Sequence, residues 1–111
     1  WTTFVLRYWV GERKAMSFAE AVRRMSSAPA RVVGLTDRGT IAEGMRADLN
    51  VIDVDRLTES VPEFVRDFPD GGGRLFQSAT GYVATVCNGT QIVEHDTHTG
   101  QRPGSVLRSA A

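Results

Sequence analysis

His95 and His98 stand with two residues between them, flanked by Glu94 and Asp96. Imidazole nitrogens with a neighbouring carboxylate are a donor set that a divalent metal accepts. Structural zinc takes about four ligands, however, and no cysteine lies near enough in sequence to complete the set. The plainer reading places both histidines in a hydrated strand end and loop. Cys87 is the single cysteine, so an internal disulfide and a cysteine-rich zinc site are both excluded. It falls within a strand pattern, where a buried, inert thiol is expected. Asp70-Gly71-Gly72-Gly73-Arg74 could fold its amides into an anion-binding nest beside an arginine. No helix pattern follows it, and a run of glycines is more simply a flexible turn. Arg13 and Lys14 read as a solvated helix end, and Arg23 and Arg24 as a solvated helix face. No histidine-paired serine, no acid–base pair of carboxyls and no Walker-type loop occurs. These residues assemble no complete active site.

The elements that would position them fall into two groups. Residues 3–12 are apolar at helical spacing, with Phe4, Val5, Tyr8 and Trp9 on one broad face and Leu6 and Val10 widening it. A helix apolar almost all round expects cover from several sides. Ser17-Phe18-Ala19-Glu20 is a capping box that predicts a helix start, and Phe18, Ala21, Val22 and Met25 form its apolar face. Ser26-Ser27-Ala28 breaks it, Pro29 suits the first turn of a short second helix, and Gly34 suits its left-handed end. Turns follow around Gly39 and Gly44. Residues 48–54 then predict a strand apolar on both faces, Leu49 and Val51 against Ile52 and Val54, which expects cover on both sides. Residues 55–74 read as a long polar connection, with a further short strand over 75–79. Residues 82–87 and 90–95 predict a hairpin, because Asn88-Gly89 is the preferred pair for a type I′ turn. From Asp96 onward the chain reads as an exposed tail, with residues 105–111 packing back.

The 111 residues fit one compact unit, and 41% apolar with 23% charged residues is ordinary for a globular protein. Thirteen basic residues balance thirteen acidic ones, so no net field favours nucleic acid or an anionic membrane. No apolar run approaches the roughly 20 residues that span a bilayer. The lone cysteine favours a reducing compartment, and the cytoplasm is the expectation. Trp1 opens a dense apolar segment with neither an initiator methionine nor a signal-peptide pattern. The expectation is therefore a piece of a longer chain.

Taken in order, Ser17–Met25, Pro29–Leu35 and Asp37–Asp53 resemble the C-terminal part of the amidohydrolase superfamily. The downstream Ala79-Thr80-Gly81-Tyr82, Ala84-Thr85-Val86 with Asn88-Gly89, and Thr99-Gly100 with Pro103-Gly104 are similar to its N-acyl-D-amino-acid deacylase (D-aminoacylase-like) branch. The resemblance implies an α+β fragment of a TIM-barrel enzyme. Residues 1–35 would be the last helices of the (β/α)8 barrel, residues 36–99 strands and a hairpin of an accessory β-sandwich with the long loop 55–74, and residues 100–111 a C-terminal tail. It also implies a hydrolase of amide bonds holding one or two zinc ions in the full-length enzyme. The family's metal-binding histidines and catalytic aspartate would lie upstream of Trp1. None has a counterpart here, so the resemblance assigns no catalytic or metal-binding residue and expects this piece to be silent and metal-free alone. Its partner would be the remainder of the same polypeptide, with a homo-oligomer through the apolar first helix as a further option. Two alternatives stay open: an autonomous interaction or dimerisation module, and an amidohydrolase acting on a cyclic amide.

Overall fold

The computed structural model describes residues 1–108. The apolar first segment forms helix α1, which opens with an α-helical turn over Thr2–Phe4 and continues as a π-helix over Val5–Glu12. The helix lies where the periodicity put it, but its turns are wider. The N–H of Arg13 reaches the carbonyl of Tyr8 at 2.8 Å, five residues back. Over so few residues an apolar stripe cannot separate the two repeats, since both bring residues four apart close together. Phe4 and Tyr8 stack at 5.0 Å, and Trp9 meets Tyr8 edge-on at 5.4 Å.

Helix α2, Phe18–Met25, starts at the predicted cap, where Ser17 Oγ accepts the N–H of Glu20 at 3.2 Å. The reciprocal half of the capping box does not form. The Glu20 carboxylate turns instead to Arg23 and Arg24, at 2.8 and 2.6 Å, because two guanidinium groups outcompete one backbone amide. Helix α3, Ser27–Val32, begins before Pro29, so the break is confined to Ser26. It ends in a Schellman turn. Gly34 sits at φ +74, its N–H meets the Arg31 carbonyl at 3.2 Å, and the Leu35 N–H meets the Ala30 carbonyl at 2.8 Å.

A four-stranded antiparallel sheet follows, in the order β1 (Leu49–Ile52), β6 (Tyr82–Cys87), β7 (Thr90–Glu94), β8 (Thr97–His98). Asn88 and Gly89 both adopt positive φ, as the hairpin pattern requires. Strand β1 departs from expectation. A bulge after Val51 breaks its alternation, Leu49 and Ile52 are half-buried, and Asn50 and Val51 face outward without cover.

The expected long loop at 55–74 is instead one side of an antiparallel arm. Its base pairs β2 (Thr58–Glu59) with β5 (Ala79–Thr80), and its outer part pairs β3 (Glu63–Val65) with β4 (Arg74–Phe76). Pro62, the glycine run and many polar residues hid these short strands, since cross-strand pairing rather than composition forms them. The tail also begins later than expected, because β8 still pairs with β7. Residues 100–108 carry no regular structure, and the remainder of the expected tail lies outside the described residues.

Leu6, Ala21 and Leu57 form the buried centre, and Ile52 and Tyr82 pack against it. Helices and sheet therefore share one core. It is small: among the described residues only these three and Ala30 are buried apolar side chains. The radius of gyration is 15.8 Å, against about 13 Å for a close-packed chain of this length. No helix among the described residues is long and apolar enough to cross a membrane.

Candidate functional site

The His95-x-x-His98 spacing is explained by backbone geometry. His95 and Asp96 occupy the two-residue turn between β7 and β8, at φ +45 and +66, while His98 lies in β8. This second positive-φ turn lacks the Asn-Gly signature, which is why it was not legible. Asp96 stabilises it by accepting the N–H of Tyr82 at 2.6 Å, and its own N–H meets the Tyr82 carbonyl at 2.9 Å. His98 Nδ1 accepts the N–H of Gly100 at 2.8 Å. That commits one imidazole nitrogen to the chain after β8 and one Asp96 oxygen to the turn. Among the described residues no group of three or more His, Cys, Asp or Glu side chains is arranged to hold a metal. The residues present do not fit a zinc site.

The glycine-rich tip is likewise committed. Asp70 and Gly71 adopt positive φ, but Arg74 is engaged at 2.8 and 2.6 Å by both oxygens of Asp67. An anion there would have to displace a carboxylate. Cys87 is half-buried at the end of β6 rather than fully enclosed. Arg23 and Arg24 lie on the solvated face as expected. Their hydrogen bonds, that of Arg23 first, pull the Glu20 carboxyl down to about 2.

Four charged residues of the Asp37–Asp53 segment are brought together in a clamp. Arg38 Nε meets Asp37 Oδ1 at 2.9 Å, Arg38 Nη1 meets Asp48 Oδ2 at 3.3 Å, and Arg46 Nε meets Asp37 Oδ2 at 3.0 Å. Hydrogen bonding from Arg38 holds the Asp37 carboxyl below its ordinary value, and Asp37 in turn raises Arg38. Asp48 Oδ1 accepts the N–H of Asn88 at 2.7 Å, and the Gly89 N–H reaches the Ala47 carbonyl at 3.0 Å. The clamp thereby grips the β6–β7 turn. Gly39, at φ +91, lies so close to α3 that a Cβ would sit 2.8 Å from Ala30 Cβ. Asp37-Arg38-Gly39 and Ala47-Asp48 join helix α3 to the sheet. Their contacts position these elements against one another.

Two further ties were not visible in the spacing. Arg7 donates to both oxygens of Glu59 and also pairs with Glu12, fastening α1 to the base of the arm. The buried Thr3 shares a 2.8 Å hydrogen bond with the Tyr82 hydroxyl. Between these helices and β1 runs an apolar groove of about 860 Å³, floored by Leu6, Val22, Met25 and Ile52. It brings together no acid–base pair.

The model of the amidohydrolase family matches residues 1–93. The chain belongs to the amidohydrolase family. Among curated proteins, this amidohydrolase chain is 33% identical to an N-acyl-D-aspartate deacylase of Alcaligenes xylosoxydans xylosoxydans, over 96% of its own length and 20% of that protein's. It is 32% identical to an N-acyl-D-glutamate deacylase of the same organism, over 100% of its length and 21% of that protein's. The chain thus spans about a fifth of the curated relatives it matches. No solved structure gives a significant match.

Proposed function

We propose that this chain is the C-terminal structural part of a metal-dependent amidohydrolase that cleaves the amide bond of N-acyl-D-amino acids. The carrying observation is the similarity, along nearly the whole of this chain, to two deacylases of which it spans about a fifth. In this reading residues 1–35 are the closing helices of the barrel, residues 36–99 belong to the accessory β-sandwich, and residues 100–111 are the tail. Catalytic histidines and one or two zinc ions belong to the preceding part of the polypeptide, where the metal would activate the attacking water. The work of this chain is to brace that part. The small core and the uncovered outer face of β1 support an element that finishes its packing elsewhere. A cytoplasmic location goes with this reading.

The test is hydrolysis by the full polypeptide, supplied with zinc, of N-acetyl-D-aspartate and N-acetyl-D-glutamate, of their L-enantiomers, and of a hydantoin. Release of the D-amino acids is the expected result. Turnover of the cyclic amide alone would move the substrate class. Zinc-stimulated turnover by residues 1–111 alone would overturn the structural role.

A further inference from the structure

The arm is anchored firmly at its base and bare beyond it. Leu57 is buried in the core, Arg7 holds Glu59, and Gly81 lies against Leu57, where a Cβ would sit 2.8 Å from Leu57 Cα. The arm is thus held out in a fixed direction. Its two faces are finished differently. The pairs Glu63 with Phe76 and Val65 with Arg74 share one face, while Phe64 with Leu75 lies on the other. On the first face Arg74 lies 5.1 Å from the Phe76 ring and 5.7 Å from the Phe68 ring, and Asp67 neutralises it. The charge on that face is thus answered within the arm, although Phe68 and Phe76 stay 54% and 42% exposed. On the second, Phe64 is 63% exposed and Leu75 71% exposed. The Phe64 ring rests on the backbone of Gly73, where a Cβ would lie 2.1 Å from Phe64 Cζ, so only its outer side is free. Arg66 stands 5.4 Å from the same ring and meets no carboxylate among the described residues.

One aromatic and one aliphatic side chain offer a few hundred Å² at most, well short of the roughly 1,000 Å² that a separate partner needs. A contact within one polypeptide loses no translational freedom, so a patch of that size suffices there. The matched relatives carry about four-fifths of their length outside the matched region, since the chain covers 20% and 21% of them. We propose that the Phe64–Leu75 face of the arm clasps the part of the same polypeptide preceding Trp1, on an apolar patch flanked by a carboxylate that receives Arg66. This inference rests on the reading of the chain as part of a longer enzyme.

Hydroxyl-radical footprinting of the full polypeptide tests it face by face. Phe68, 54% exposed on the other side, is the internal control for Phe64, and Leu107, 49% exposed, is the control for Leu75. Phe64 and Leu75 are expected to label severalfold more slowly than their controls, at every protein concentration. Leu75→Asp should bring Phe64 up to the rate of Phe68, whereas Leu75→Met should leave it slow. Equal labelling of Phe64 and Phe68, with Trp1 and Trp9 protected, overturns the clasp and leaves the longer-enzyme reading standing. Slow labelling seen only at high concentration assigns the face to a second copy and also overturns it. Free labelling of Phe64, Trp1 and Trp9 together, with no deacylase turnover, overturns both.

Discussion

Two loops of this chain are built from the same residues and do different things. Residues 37–48 and 66–74 each combine arginines, aspartates and at least one positive-φ glycine, and each closes an Arg–Asp pair. In the first loop Gly39 lies against helix α3, and Asp48, which Arg38 holds, reaches the β6–β7 turn. Arg38 is accordingly only 19% exposed, and Asp48 joins residues forty apart in sequence. In the second, Asp67 and Arg74 close their own hairpin and touch no other element. An ion pair at a surface contributes little by itself, and its structural value depends on what its ends are attached to. The first loop is a clamp, and the second is the tip of an arm.

The largest expected contrast comes from the glycines. Gly39→Ala adds left-handed strain and a collision with α3, and should lower stability by about 2–5 kcal/mol. Gly71 has the same sign of φ with open space around it, so Gly71→Ala should cost only about 1–2 kcal/mol. Equal shifts in urea unfolding would erase the distinction between clamp and tip. Next, Arg38→Ala should lower the urea midpoint clearly more than Arg74→Ala, because only the former releases the β6–β7 turn. The reverse order would mean that the arm is the better anchored region. Removing the α2 cap with Ser17→Ala should cost about 1 kcal/mol, read as lost helical circular dichroism and an earlier thermal midpoint.

The smallest effect is the pH dependence. Folding lowers the Glu20, Asp37 and Asp67 carboxyls through hydrogen bonds from Arg23, Arg38 and Arg74 respectively. Their contribution is fully present above the ordinary carboxylate range and is lost as pH falls through the folded values, from 4.5 toward about 2 for Glu20. Carboxyl titration by NMR should follow Glu20 to a midpoint near 2. Protonating Asp37 should disturb the amides of Asn88 and Gly89, and protonating Asp67 should disturb only the tip. Disturbance of both regions by Asp67 would break the comparison.

Local signals in the sequence decided the elements whose causes are themselves local. The Ser17 cap, the Gly34 helix end and the Asn88-Gly89 turn depend on one side chain or one backbone angle each, so residue type was sufficient. The family resemblance was legible for the same reason, being carried by contiguous motifs. Tertiary structure alone decided the rest. Strands β2 to β5 exist because segments roughly ten to twenty residues apart pair with each other, and a window of polar residues and glycines carries no record of its partner. The His95–Asp96 turn needs Tyr82 to supply a donor from another strand. Above all, the sequence marks Asp37, Arg38 and Asp48 as a motif without saying what they grip. Their chemistry is fixed by residue type, but their role follows from where the β6–β7 turn arrives in space.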